Sequence, residues 1–164
     1  MDTLAQIDLD HKPVVLRPAR REDVPALVVL LAADQLGATR DGVRDQADLD
    51  AYERAFQAID ADPAHMLIVA DRAGEVVGTM QLSFLPGLAR RGALRAQIEA
   101  VRVAASTRGS GLGAAMLQWA IDEARRRDCA LVQLTTDKAR TDAHRFYQRL
   151  GFVASHEGMK LKLR

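Results

Sequence analysis

Cysteine is almost missing from this chain: Cys129 is the one example among 164 residues. No intramolecular disulfide can form, and nothing suggests an oxidising compartment. Long apolar runs are missing as well, since no stretch approaches the about 18 consecutive apolar residues of a membrane span. The first dozen residues hold Asp2, Asp8, Asp10, His11 and Lys12 where a signal peptide would have its apolar core. Nor is there an excess of one charge: 23 Lys and Arg face 22 Asp and Glu, a formal net charge of +1. A nucleic-acid surface needs a clustered basic excess, so the balance gives no support to such a partner. His11, His65, His144 and His156 show no ligand spacing, and no metal is expected. No internal repeat or low-complexity tract interrupts the chain. These absences point to the reducing cytoplasm, with neither membrane nor nucleic acid as a partner.

What is present is a chain that is 48% hydrophobic, enough for one well-buried core and too short for two ordinary domains. Residues 1–12 read as a flexible lead-in and 13–164 as a single domain. Val14 to Arg17 reads as a strand closed by Pro18, and Arg21 to Asp34 as a helix with Val24, Leu27, Val28, Leu30 and Leu31 on a broad face. Gly37 to Gly42 is a loop. Asp48 to Asp60 reads as a second helix, stopped by Asp62-Pro63. Met66 to Ala70 and Val76 to Phe84 form a hairpin about a turn containing Gly74. The Pro86 to Gly92 loop follows, with Arg90, Arg91 and Arg95 by it; attraction of an anionic substrate and plain solvation are both open to them. Ala93 to Val103 reads as a fourth strand, Ala130 to Thr135 as a fifth, Thr141 to Leu150 as a helix and Phe152 to Leu163 as a last strand. Runs of strands with helices between define an α+β class, a mixed and mostly antiparallel sheet flanked by helices.

The central stretch is Gln97 to Ala124. A strand leads into Arg108-Gly109-Ser110-Gly111-Leu112-Gly113, and a segment of helical periodicity follows. Three glycines within five residues let a ligand come close to the backbone, and the first N–H groups of the helix have no carbonyl partners. With the positive end of the helix dipole behind them and Arg108 beside them, they suit a phosphate or pyrophosphate. A tight strand-to-helix turn with a solvated arginine accounts for the same residues. A dinucleotide loop is a further alternative, since Gly109, Gly111 and Ala114 satisfy G-x-G-x-x-G/A. Such a loop normally opens its domain, and too little chain follows Gly113 here. A Walker-type loop is excluded because no Gly-Lys-Ser/Thr is present.

In the strand before this loop, Ile98 and Ala100 share one parity while Val101 and Val103 share the other. A bulge between Ala100 and Val101 would switch the apolar face in this way, and a strand buried on both faces would read alike.

Arg108-x-x-Gly111-x-Gly113 after a strand resembles the R/Q-x-x-G-x-G/A signature of the GNAT superfamily of acetyl-coenzyme A-dependent N-acetyltransferases. Ala143-His144-Arg145-Phe146-Tyr147-Gln148-Arg149-Leu150-Gly151-Phe152 resembles that family's A-x-x-F-Y-x-x-L-G-F segment. Within the family, Leu134 to Tyr147 resembles the aminoalkylphosphonate N-acetyltransferases more than the ribosomal-protein or histone enzymes. The resemblance implies the GNAT fold, with about six to seven strands, about four helices and central strands splayed at a bulge. It implies acetyl-CoA as donor, its pantetheine arm against the backbone of Val101, Arg102 and Val103 and its pyrophosphate on Arg108, Gly109, Ser110, Gly111, Leu112 and Gly113. Phe146 would also lie on the coenzyme. Many relatives carry Asn three residues before the motif's alanine; here the position is Arg140, and Arg140 or Lys138 would reach a phosphate instead.

The implied reaction is attack of a primary amine, of a small molecule, on the thioester carbonyl. An alkylammonium has a pKa of about 10.4 and must first lose a proton. Glu99 is the nearest carboxylate to the predicted centre and would take it directly or through water; an exposed strand glutamate is the plain alternative. An N–H near Val101 would stabilise the developing oxyanion. Tyr147 matches the family tyrosine that protonates the departing thiolate, and packing against Phe146 is its other reading. Cys129 follows Arg125, Arg126 and Arg127 at a helix end and reads as a core residue, so transfer is expected to be direct. A homodimer is within the family's habits, though no interface is legible. A domain that binds acetyl-CoA without turnover and a nicotinamide-dependent oxidoreductase are the competing functions.

Overall fold

Alternation makes the first strand. Ala5, Ile7 and Leu9 are half-buried while Gln6 and Asp8 face solvent, the pattern of a strand covered on one side. The structure is a computed structural model that describes residues 3–9, 12–33 and 36–163. Strand β1 (Ala5–Leu9) pairs antiparallel with β2 (Lys12–Pro18), Ile7 opposite Val14. This corrects the expected lead-in, whose Asp and Lys residues hid a two-residue period; Met1, Asp2, Asp10 and His11 lie outside the described residues.

A 3-10 turn, Arg21–Asp23, leads into α1 (Val24–Ala32). Helix α2 (Gln46–Asp60) begins at Asp45, whose side chain accepts a hydrogen bond of 3.0 Å from the Asp48 N–H. Strands β3 (His65–Arg72) and β4 (Glu75–Leu85) form the expected hairpin. Its two turn residues, Ala73 and Gly74, both have positive φ, as the twist of a two-residue hairpin requires. A short turn, α3 (Ala89–Gly92), precedes β5 (Arg95–Val103), and α4 (Leu112–Arg126) connects β5 to β6 (Leu131–Leu134). The sheet order is β1-β2-β3-β4-β5-β6, antiparallel from β1 through β5. This is the expected α+β architecture.

The sheet has two covered faces. Ile68, Met80, Leu82 and Ile98 share one parity and are fully or almost fully buried, each contributing about 1.5–3 kcal/mol by the area it removes from water. Helix α4 approaches that side closely at Gly78, where an added Cβ would sit 3.0 Å from Met116 Sδ and 3.3 Å from the Arg102 carbonyl. Val69, of the other parity, clusters with Val24, Leu27, Val28 and Phe56 from α1 and α2. Between β2, β3 and the start of α1 lies a buried ion triad. Arg17 donates to Asp23 at 2.7 and 3.0 Å and to Asp71 at 3.0 Å. Burial pushes the Asp23 carboxyl up, but hydrogen bonds from Arg17 and from the Arg20 N–H outweigh it and the net shift is downward.

The chain forms two units, one up to Gln133 and one from Leu134. The second contains α5 (Thr141–Arg149) followed by irregular chain. The strand expected over residues 152–163 is therefore absent, and Val153, Met159, Leu161 and Leu163 are exposed. Alternation is a property of the segment alone, whereas a ladder needs a partner strand, and this unit has none among its described residues.

Candidate active site

The bulge is present. Thr79 pairs with Arg102 but Gln81 pairs with Glu99, so two steps along β4 cross three along β5, and Met80 has no single opposite residue. Ala100 takes up the extra residue with a left-handed φ of 53°. Before it, Ala96 and Ile98 point into the core while Arg95, Gln97 and Glu99 take the other face. Beyond it the parity is reversed, and Val101, Arg102 and Val103 are half-buried. Glu99 and Ala100 are exposed. The shifted register takes backbone groups out of the β4 ladder where a pantetheine arm would need them.

The loop after β5 is anchored from below. The Ala104 N–H donates to the Val77 carbonyl at 2.8 Å, and the buried Thr107 hydroxyl donates to the Ala104 carbonyl at 3.1 Å. Ser110 Oγ donates to the Thr107 carbonyl at 2.7 Å. Gly109 and Gly111 then have φ of 80° and 87°, and Gly111 caps α4. The Ala115 N–H donates to the Gly111 carbonyl at 3.0 Å as the helix begins, so the N–H groups of Leu112, Gly113 and Ala114 precede the intrahelical ladder. No atom lies within 4 Å of where a Cβ on Gly109 or Gly111 would sit. Leu112 is buried and fixes the helix to the sheet, leaving only its backbone for a ligand. Arg108 is exposed at the rim. The cradle thus offers the first N–H groups of a helix, its dipole and a guanidinium, and among the described residues nothing fills the space beside Gly109 and Gly111, which fits the pyrophosphate of a coenzyme.

A polar row that periodicity did not single out crosses the sheet on the face of Glu99. His65 Nδ1 and Ser83 Oγ are 2.8 Å apart, Ser83 stands opposite Gln97, and Gln133 Nε2 donates to Gln97 Oε1 at 2.6 Å. Counting back two residues from Glu99 would have found Gln97 and, two further, Arg95.

Phe146, Tyr147 and Arg140 belong to the second unit. Helix α5 ends in a Schellman motif: the Phe152 N–H donates to the Tyr147 carbonyl at 3.1 Å and the Gly151 N–H to the Gln148 carbonyl at 3.0 Å, with Gly151 at φ 92°. The Tyr147 ring stands edge-on to Phe152 and Phe146, with centroids 5.9 and 5.2 Å away. The Leu-Gly-Phe triplet is thus a helix stop that holds the tyrosine ring. Arg140 is half-buried at the helix start, its carbonyl accepting the His144 N–H at 3.1 Å, and Lys138 pairs with Glu157 at 2.7 Å. His144 Nε2 lies 3.0 Å from the Asp137 carbonyl oxygen, a local contact. Cys129 is half-buried, and burial raises its thiol above the ordinary range despite Arg127 nearby. Among the described residues no three His, Cys, Asp or Glu side chains gather as a metal site, and no helix is long and apolar enough to cross a membrane.

With the bulge, the cradle and the motif tyrosine in view, the class is settled: residues 32–152 match the acetyltransferase (GNAT) family, and the chain belongs to it. It is an acyltransferase. It is 33% identical over 148 residues to the aminoalkylphosphonate N-acetyltransferase of Salmonella typhimurium strain LT2, covering 90% of both chains. Over 90 residues it is 34% identical to the glucosamine 6-phosphate N-acetyltransferase of Trypanosoma brucei brucei, covering 55% of this chain and 59% of that one. Among solved structures it superposes with a TM-score of 0.87 on the transcriptional regulator from Bacillus halodurans C-125, 45% identical over 92% of this chain and 99% of that one.

Proposed function

We propose that this protein transfers the acetyl group of acetyl-CoA to the primary amine of a small molecule bearing an acidic group. The observation that carries the reading is the juxtaposition in one unit of the β5 bulge and the glycine cradle at the start of α4. Arg108 and the backbone of Gly109 through Gly113 would hold the pyrophosphate, and Val101 to Val103 would bond the pantetheine amides as an added strand does. Bound acetyl-CoA supplies a thioester carbonyl to the incoming amine. Glu99 removes the ammonium proton, a backbone N–H near Val101 meets the charge gathering on the carbonyl oxygen, and Tyr147 gives a proton to the departing sulfur. Cys129 takes no part, because a half-buried thiol with a raised pKa is a poor nucleophile. The Salmonella and Trypanosoma relatives are named for amines that carry a phosphorus oxyanion, which supports the acidic acceptor. An antiparallel sheet from β1 through β5 speaks against the dinucleotide alternative, which needs a parallel one.

The test is a calorimetric titration with acetyl-CoA followed by free-thiol release over a panel of amines. Saturable binding with thiol release in the presence of small acidic amines is expected, with full turnover by Cys129→Ser. Binding without thiol release for any amine would leave a domain that only binds the coenzyme. Glu99→Gln sharpens the assignment: kcat/KM at pH 7 should fall about 100-fold and recover as pH rises toward the amine's own pKa, since solvent then does the deprotonation.

A further inference from the structure

Arginines in this chain are commonly paired. Arg17, Arg21, Arg44, Arg72, Arg126 and Arg127 each hold a carboxylate. Arg90, Arg91 and Arg95, gathered on the connection from β4 to β5, have no ion pair among the described residues. Two of them also sit on unfavourable backbone. Arg90 and Arg91 have left-handed φ of 57° and 62°, and Gly92 follows at 76°. Glycine would hold either arginine's conformation with less strain. The turn is closed by the Gly92 N–H on the Leu88 carbonyl at 3.1 Å and the Ala93 N–H on the Ala89 carbonyl at 3.3 Å, so both arginines are displayed by fixed backbone. The guanidinium of Arg95, the first residue of β5, reaches back over the same connection, its Nη2 lying 3.9 Å from where a Gly87 Cβ would sit.

Parity links this cluster to the reacting centre. Arg95, Gln97 and Glu99 alternate on one face of β5, and the bulge that reverses the face comes only at Ala100. Four residue steps of strand lead from Arg95 to Glu99, about 13 Å. Long side chains at both ends shorten that span, and Gln97 between them is held by Gln133. The face therefore presents a carboxylate at the bulge and the Arg95 guanidinium at the loop end, a charge pattern complementary to a zwitterion laid along β5.

We propose that Arg95, supported by Arg90 and Arg91, binds the anionic group of the acceptor, a phosphonate or phosphate separated from the amine by a short chain. The proposal rests on the acetyltransferase reading and deepens it, because it assigns the residues that select the substrate. Phosphonate oxygens would accept charge-assisted hydrogen bonds from the planar guanidinium fork.

Steady-state kinetics with 3-aminopropylphosphonate and with butylamine test it, using the wild type, Arg95→Gln and the double variant Arg90→Gln, Arg91→Gln. In Arg95→Gln the ratio of kcat/KM for the phosphonate over butylamine should fall on the order of 10- to 100-fold, as loss of a charged hydrogen bond predicts. The change should appear in KM for the phosphonate, with KM for acetyl-CoA moving less than about twofold, and the double variant should show a smaller fall. Equal losses for both amines, or no change in the ratio, would overturn the proposal. Should the wild type turn over no amine, the acetyltransferase reading fails on its own. Titration of 3-aminopropylphosphonate into coenzyme-saturated protein then decides: binding that is lost in Arg95→Gln upholds the anion site, and absent or unaltered binding overturns it.

Discussion

Both family motifs of this chain use a glycine with left-handed backbone at a helix end, and the two ends are finished differently. At the end of α5, Gly151 and Phe152 turn back and their N–H groups bond the Gln148 and Tyr147 carbonyls. At the start of α4, Gly111 turns the chain outward and leaves the N–H groups of Leu112, Gly113 and Ala114 ahead of the first helical bond. Steric space does not distinguish them, since a Cβ at Gly109, Gly111 or Gly151 would meet nothing within 4 Å. Hydrogen-bond accounting does. The first motif answers its own requirements, whereas the second leaves its first N–H groups ahead of the intrahelical ladder, where the proposed pyrophosphate would use them.

The largest expected effect tests whether the α5 motif is only a helix stop. Tyr147→Phe keeps the ring between Phe146 and Phe152 and keeps the Schellman bonds, which are made by backbone. It removes only the hydroxyl. If that hydroxyl gives the departing sulfur its proton, kcat should fall about 100- to 1,000-fold, with the KM for acetyl-CoA moving far less. Unchanged kcat would make the tyrosine a packing residue and the whole motif structural.

The cradle is tested from the other side. Gly111→Ala puts a Cβ into open space but onto a backbone at φ 87°, where an L-residue is strained. The cap should relax and re-aim the donors behind it, weakening the Kd for acetyl-CoA about tenfold by calorimetry. A variant that loses stability yet keeps its Kd would show that the N–H groups do not hold the coenzyme.

The same contrast explains what could be read in advance. The cradle and the helix stop are local, so three glycines about the start of a helix and Leu150-Gly151-Phe152 after one were legible from residue type. The bulge was legible only through the family resemblance, because the parity switch between Ile98 and Val101 would read alike in a strand buried on both faces. Strand β1 was missed although Ala5, Ile7 and Leu9 alternate, since intervening charges resemble a solvated tail. The strand expected after Phe152 shows the converse error, in which Met159, Leu161 and Leu163 alternate without a partner strand among the described residues. Arg17 could not be joined to Asp71 from sequence, because the two lie 54 positions apart and only the register of β2 and β3 brings them together. The left-handed pair Arg90 and Arg91 was equally hidden, as arginine carries no signal for that conformation.

The smallest effect separates helix ending from ligand holding. Gly151→Ala places a side chain at φ 92°, with no neighbour for its Cβ to strike, so the cost is backbone strain alone. That strain is about 1 kcal/mol, and for a chain of this length Tm should fall by about 2–4 °C. The α5 cap uses its own carbonyls and offers no donor to the coenzyme, so the Kd for acetyl-CoA should move less than about twofold. The expected pattern is a crossed one: Gly111→Ala moves Kd more than stability predicts, and Gly151→Ala moves stability without Kd. If both variants weakened the coenzyme alike, the difference between the two helix ends would have no bearing on binding, and the α4 cradle would lose its claim to be more than a turn.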